Sequence, residues 1–344
     1  MENMNMETMD QAAEMEGASA ELAAPADDSS TADVMIGGGK KKEKKGNSIK
    51  RTENIIGWVY ISPMVIGFLV FTIIPLFMSI MAMFYDWNGV DDLFGPYTPA
   101  VGFDNFKAIF GGLDSAIYWR AMGNTLIFAI QLPVGMVLGM FLALGMNRKM
   151  RSANTFRVLY YLPSVMSIVA VTIVWQNLFA GDGSINHLFG SNTKWLTSDA
   201  GVAFVVNLLL IWKGIGYTSL MFIAGLQSVS TDQIEAAKID GANGWIILLK
   251  ITLPALYPTI FYLFVTGLMG SLQMFNEPYI LVGYGQGSFS SGFNGMTAVS
   301  FVYYAKDEAH DYGLASVGAW VLAFFIFIIT AIQLYVDKRK EKDY

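Results

Sequence analysis

The sequence predicts an all-α membrane protein with six transmembrane helices, and three observations carry that expectation. Apolar residues make up 54% of the chain and charged residues only 15%, with a mean hydropathy of +0.44, against roughly 25% charged in soluble domains. Six predominantly apolar runs reach the length of about 20 residues that a hydrocarbon core demands. Basic residues gather at alternate connections between those runs, as they do on the inner face of a membrane. The chain has no cysteine, so disulfides and thiolate metal sites are excluded.

Residues 1–45 come first and differ in kind. Met, Ala, Asp, Glu and Ser dominate there, no apolar period repeats, and Gly37 to Gly39 lead into a lysine run. That composition predicts a disordered acidic tail followed by a basic membrane anchor. It is unlike a signal peptide, whose basic and apolar parts come earlier and whose apolar part is shorter. The acids of the tail also explain the net charge of -6, which therefore says little about the rest of the chain.

The six runs cover 55–84, 122–146, 156–179, 202–226, 256–281 and 314–335. Each must be helical, because a segment in lipid has to satisfy its own backbone amides; the short alternating strands of a membrane barrel are missing from the pattern. Lys40, Lys41, Lys42, Lys44, Lys45, Lys50 and Arg51 precede the first run, Arg148, Lys149, Arg151 and Arg157 separate the second from the third, and Lys338, Arg339, Lys340 and Lys342 follow the sixth. The opposite connections hold only Lys107, Arg120, Lys194 and Lys306. Both termini are thus expected in the cytoplasm. The domain organisation that follows is a cytoplasmic tail over 1–50, a six-helix domain over 51–336 with a cytoplasmic connection at 227–254, and a short cytoplasmic tail over 337–344.

The connection before the fifth run is mostly polar and is expected to fold as two short helices, 231–240 and 245–251. Thr231 or Asp232 suits the first N-cap, and Glu235 lies where the helix dipole favours an anion. Gly241 and Gly244 sit where the first helix should end, since glycine accepts the left-handed backbone of a C-cap. Pro254 is expected to close the second helix and open the fifth span.

Within that connection Glu235, Ala236 and Ala237 are followed after three residues by Gly241, and nine further on by Ile251, Leu253 and Pro254. Glu and Ala are good helix formers, so the tripeptide alone would fit any surface helix. The complete spacing resembles the EAA loop of bacterial ABC-importer permeases. Gly102-Phe103-Asp104-Asn105-Phe106, Gly123-Asn124-Thr125, Tyr161-Leu162-Pro163, Gly183-Ser184-Ile185-Asn186 and Phe275-Asn276-Glu277-Pro278-Tyr279 have counterparts in the sugar-importing branch, the maltose, glycerol-phosphate and multiple-sugar type. The likeness runs from about residue 55 to the end of the chain. The 180–201 loop is far shorter than the external domain of maltose permeases, and their extra N-terminal spans are missing, so maltose itself is not implied.

The resemblance implies a type I importer architecture (MetI-like) in a bacterial inner membrane. It further implies a second, related permease that completes the pore as a heterodimer, two ATP-binding subunits that bind ATP and Mg, and an extracytoplasmic solute-binding protein that delivers a carbohydrate. Glu235, Ala236, Ala237, Asp240, Gly241, Ile251, Leu253 and Pro254 would then couple the chain to the ATPases. The two alanines keep the inserted face thin, and Glu235 can pair with a basic residue of the partner. No Gly-x4-Gly-Lys-[Ser/Thr] occurs in the chain, so it carries no P-loop and is expected to be a transport subunit without a catalytic site or cofactor of its own.

Polar side chains inside spans are costly and face a bundle interior or a wet cavity. Here they are Asn124, Gln131, Gln176, Lys213, Gln273, Asn276 and Glu277, with Trp175 and Trp212 beside two of them. Gln273 and Asn276 are three apart on one helical face and Glu277 lies four from Gln273, so one stripe of the fifth span is expected to be polar. Amides, a carboxylate and indoles suit a sugar, whose hydroxyls want bidentate partners and whose C–H faces want rings. Interhelical hydrogen bonding uses the same residue types; Asn124 and Gln131 fit that role better, and Gln273 and Asn276 fit both. Gly135 and Gly139 form a Gly-x3-Gly suited to close helix packing. His187 and His310 lie in expected external loops and do not suggest a metal site. An ion-gradient-driven secondary transporter is the alternative, but such folds tend to show repeated halves and midplane carboxylates, and Glu277 near an outer end is the one acid inside a run.

Overall fold

The computed structural model describes residues 43–147, 153–283 and 295–341. The acidic tail and the basic positions Lys40, Lys41, Lys42, Arg148, Lys149, Arg151 and Lys342 lie outside the described residues. By its contacts the chain forms two units, residues 1–67 and 68–344. The described part of the first is helix α1 (Glu43–Phe68), which contains Pro63.

In the second unit a π-helical turn, Leu69–Ile73, leads into α2 (Ile74–Ala82). Then follow α3 (Asp104–Gly111), α4 (Ser115–Phe128), α5 (Gln131–Met146), α6 (Ala153–Val165), α7 (Ile168–Leu178) and α8 (Ser184–Phe189). The second half holds α9 (Asp199–Leu226), α10 (Thr231–Ile239), α11 (Gly244–Ile247), α12 (Leu253–Ala255), α13 (Tyr257–Leu272), α14 (Asn276–Pro278), α15 (Ala298–Asp307) and α16 (Tyr312–Glu341). Among the described residues the β structure is one isolated bridge, Tyr85 with Ala100.

Among the described residues four helical stretches are long and apolar enough to cross a membrane: Asn54–Ala82, Ser115–Met146, Asp199–Leu226 and Tyr312–Arg339. Two more are bent pairs, Thr155–Val165 with Ile168–Leu178 at 91° and Gly244–Ala255 with Tyr257–Leu272 at 64°. Counting each pair once gives the six spans the hydropathy predicts. The first bend has a local cause. Pro163 weakens the last turn of α6, and Ser167 adopts extended geometry, φ -56° and ψ 125°, before α7 begins.

The bundle is built around α9, which touches α4, α5, α6 and α13. Glycines permit close approaches to it. A Cβ on Gly216 would run into the carbonyl of Tyr160 in α6, and one on Gly139 in α5 would lie 2.8 Å from Thr218 Cγ2. Gly135, the other member of the Gly-x3-Gly, has nothing within 4 Å of such an atom. Of the two, only Gly139 sits where an added side-chain atom would meet α9, although both are buried.

One buried cluster joins α5, α9 and α13 through Leu132, Met136, Ala143, Phe222, Ile223, Leu256 and Leu263. Another joins α4, α15 and α16 around Tyr118, Met122, Phe301, Val317 and Leu322. The second is reinforced by polar contacts: Tyr118 donates to the Gly318 carbonyl at 2.9 Å, and Thr125 Oγ1 accepts from the Ala298 amide at 2.9 Å. Helix α15 has no counterpart in the hydropathy reading. At ten residues it is too short to register as a span.

Candidate functional site

The 227–254 connection forms an elbow between α9 and α13. Its first helix starts one residue before the expected caps: Ser230, not Thr231 or Asp232, is the N-cap, with its Oγ accepting from the Gln233 amide at 3.4 Å. The other end closes as the sequence suggests. Gly241 has φ +80°, the Ala242 amide reaches the Ala237 carbonyl at 2.9 Å, and the Gly241 amide reaches Lys238 at 3.1 Å. Those two bonds are the 6→1 and 5→2 pair of a Schellman motif. Asp240 is the C-cap residue.

Gly244 does not end the first helix. It opens α11, whose N-cap is Asn243, with Oδ1 accepting from the Ile246 amide at 2.9 Å. Pro254 likewise does not close the second helix. Helical structure continues from α11 through a π-helical turn, Leu248–Thr252, into α12, and the bend comes at Leu256. Pro254 sits at the start of α12, where a missing amide costs nothing.

Two capped helices joined by a two-bond turn make the elbow a stiff lever, and its two halves face different surroundings. No residue of α10 is buried, Glu235 and Ala236 are exposed, and Ile239 presents 87% of its surface. The second half is anchored. Thr252 is buried and Ile251 half-buried, while Trp245, Leu248, Leu249 and Leu253 line an apolar cavity of about 420 Å³ against Met136, Met140 and Phe264 of α5 and α13. The second half runs on through the bend at Leu256 into α13, so the elbow is continuous with that span.

The polar residues of the spans separate into structural and open sets. Asn124, 8% exposed, donates to the Met296 carbonyl at 3.1 Å. Gln131 donates to Ser271 Oγ at 3.0 Å. Gln176 donates to the carbonyls of Ile280 at 2.9 Å and Leu281 at 3.3 Å, which belong to a π-helical turn, Tyr279–Gly283. These three tie helices together.

Trp175 and Trp212 lie with ring centres 5.7 Å apart, and Trp175 stacks on Phe179 at 5.5 Å. Lys213 donates to the Ser164 carbonyl at 3.3 Å. Gln273, Asn276 and Glu277 do not form the expected continuous stripe, because α13 ends at Leu272 and α14 starts at Asn276. Gln273 instead faces a cavity of about 380 Å³ with Val299, Val302 and Leu322. Glu277 is half-buried within α14.

An aromatic group at the same break escaped the sequence reading. Phe275 stacks on Tyr279 at 4.8 Å, and Tyr303 meets both at 5.1 Å. Bonds to the Tyr279 hydroxyl and the Asp307 carboxylate push the Tyr303 phenol up to about 12. Tyr303 comes from α15, so only a fold that returns α15 to the end of α13 could reveal the group.

Residues 135–342 match a family profile described as "binding-protein-dependent transport system inner membrane component". Over 87% of its length the chain is 34% identical to a probable ABC transporter permease protein, YesP, of Bacillus subtilis (strain 168), covering 95% of that protein. It is 26% identical to the lactose transport system permease LacF of Rhizobium radiobacter over 86% of the chain and 98% of the relative. To the multiple sugar-binding transport system permease MsmF of Streptococcus mutans serotype c it is 27% identical, over 83% and 96%. Among solved structures it resembles a chain of a bacterial ABC transporter involved in import of the acidic polysaccharide alginate, with a TM-score of 0.71 and 24% identity, covering 86% of this chain and 99% of that one. At that identity the likeness establishes the shared fold.

Proposed function

This chain belongs to the binding-protein-dependent transport system inner membrane components, and from that premise we propose that it is the permease subunit of an ATP-driven importer for oligosaccharides or sugar derivatives. It sits in a bacterial inner membrane with both termini in the cytoplasm, the tail over 1–50 and the segment 337–344 flanking the six-helix domain. An extracytoplasmic solute-binding protein delivers the cargo, and a second, homologous permease completes the pore. Relatives named for lactose and multiple sugars support the cargo class, as do the indole pair and the aromatic group beside Asn276 and Glu277.

The observation that supports the coupling is the division of the elbow into an exposed, doubly capped α10 and a second half that runs on through the bend at Leu256 into α13. Glu235, Ala236, Ala237, Asp240 and Gly241 form the surface that two ATP-binding subunits grip; Ile251, Leu253 and Pro254 pass the motion on to α13. ATP and Mg are bound by those partners. The cargo passes Trp175, Lys213, Gln273, Asn276 and Glu277, while Asn124 and Gln176 hold the walls of that path. Ion-gradient drive predicts that no ATPase accompanies the chain, so capture of an ATPase with it separates the two readings.

Glu235→Ala removes a charged contact of the grip, and Gly241→Pro forbids the positive φ of the turn. Both variants are expected in the membrane in normal amount, with cargo uptake and cargo-stimulated ATP hydrolysis lowered together. Normal transport by both would end the docking reading.

A further inference from the structure

The elbow meets its span at Leu256, where α12 gives way to α13 with a bend of 64°. One backbone bond across that bend is missing, because Pro258 in the first turn of α13 has no amide to donate. Contacts from the side therefore weigh more in holding the angle. On α9, Gly225 lets the junction come close: a Cβ there would lie 2.8 Å from Leu256 Cδ2 and 2.7 Å from Thr259 Oγ1. On α16, the Asp337 carboxylate accepts from the Tyr257 hydroxyl at 3.0 Å. Asp337 opens the segment expected from the sequence to be a tail, yet α16 runs on through it to Glu341. That extra length of helix is what brings the carboxylate to the bend.

Leu256 has no exposed surface, and Tyr257 and Asp337 are both half-buried. A hydrogen bond to a carboxylate is among the stronger that proteins make, and removing the donor leaves a partly desolvated charge. We propose that the Tyr257–Asp337 bond ties the elbow to the last span, so that the inner end of α16 follows the elbow when the elbow moves against the rest of the bundle. Asp337 is then a positioning residue that acts through Tyr257. The inference rests on the coupling reading above and adds to it a second span, besides α13, that the elbow carries with it.

The test uses the assembled transporter in lipid nanodiscs as parent, Tyr257→Phe, Asp337→Asn, Asp337→Leu and the Tyr257→Phe/Asp337→Leu pair. Spin labels at the exposed positions Ile246 on the elbow and Val336 on α16 read the tie; a second pair, Ile246 with Ile127 on α4, reads whether the elbow moves at all. Distances are taken without nucleotide and after trapping with Mg-ATP and vanadate. In the parent, trapping should shift the elbow-to-α4 distance and leave the elbow-to-α16 distance in place. In Tyr257→Phe and Asp337→Leu the elbow-to-α16 distance should shift or broaden as well. Asp337→Asn keeps an acceptor and should stay close to the parent, and the double variant should match the single ones because both changes remove one contact. Should Tyr257→Phe fail to assemble, Asp337→Leu is read in its place. An elbow-to-α16 distance that stays constant on trapping in these variants would overturn the tie, even with a lowered unfolding midpoint, since the contact would then serve stability alone. A double variant clearly worse than either single one would overturn it too. If the elbow-to-α4 distance of the parent ignores the nucleotide, the coupling reading itself fails, and the tie falls with it.

Discussion

The side-chain amide of Asn124 in α4 donates to the backbone carbonyl of Met296 at 3.1 Å, and the next residue, Thr125, accepts from the amide of Ala298 at 2.9 Å. Two adjacent polar residues in one span thus hold the start of α15. Thr297 between them reaches on to the Met274 carbonyl at 2.8 Å, so the end of α13 belongs to the same knot. This network fixes where the aromatic group of Phe275, Tyr279 and Tyr303 stands relative to the second span.

Replacing Asn124 with Leu should therefore act on stability. The Met296 carbonyl would remain buried without its donor, at a cost of about 1–3 kcal/mol, read as a lower midpoint of thermal unfolding in detergent. Cargo preference should not change. A shift in preference at unchanged stability would return Asn124 to the cargo path.

The two glycines of α5 should respond very differently to the same change. Gly139→Val has to displace Thr218 of α9, and overpacking of this kind costs about 1–3 kcal/mol. Gly135→Val meets open space and should be nearly neutral. Thermal unfolding of the two variants side by side checks the prediction, and equal losses would place both glycines in the helix contact.

Asp311, just ahead of α16, gives the protein a pH dependence of known sign. Its carboxylate accepts from the Leu314 amide at 2.7 Å, yet burial, followed by the charges of Asp86 and Asp114, holds its pKa above the ordinary carboxylate range. The folded state then binds this proton more tightly than the unfolded state. The contribution is full below the unfolded pKa and is lost as pH rises through the folded one. Asp311→Asn keeps the cap and should flatten this part of the stability profile, measured by unfolding midpoints from acid to neutral pH. An unchanged slope would show that Asp311 is not its source.

Much of the elbow was legible because its signals are local. A glycine at φ +80° and a Glu-Ala-Ala run act within a turn or two of chain, so spacing alone announces them. The caps were misplaced by a residue because Ser230, Thr231 and Asp232 are all good N-caps and only the backbone conformation chooses. Pro254 misled for a related reason. It breaks a helix interior but is welcome in a first turn, and the sequence does not say which it occupies until the π-helical turn ahead of it is seen.

The polar stripe failed for a less local reason. A period of 3.6 places Gln273 and Asn276 together only if the helix runs on, and it stops at Leu272, where the Met274 carbonyl is taken by Thr297. Hydropathy averages across the break, because Gln273, Asn276 and Glu277 alternate with Met274, Phe275 and Pro278 and are followed by Ile280 and Leu281.

What the amino-acid order determined by itself was the medium, the number of crossings and the turn that closes the first helix of the elbow. Each of these follows from transfer energies, charge placement or short-range backbone preference, all additive along the chain. The tertiary structure alone decided which polar side chains are structural, where two spans break and what α15 brings to the end of α13. Those depend on hydrogen bonds between residues far apart in sequence, and a one-dimensional pattern holds no record of which distant carbonyl a buried donor will find.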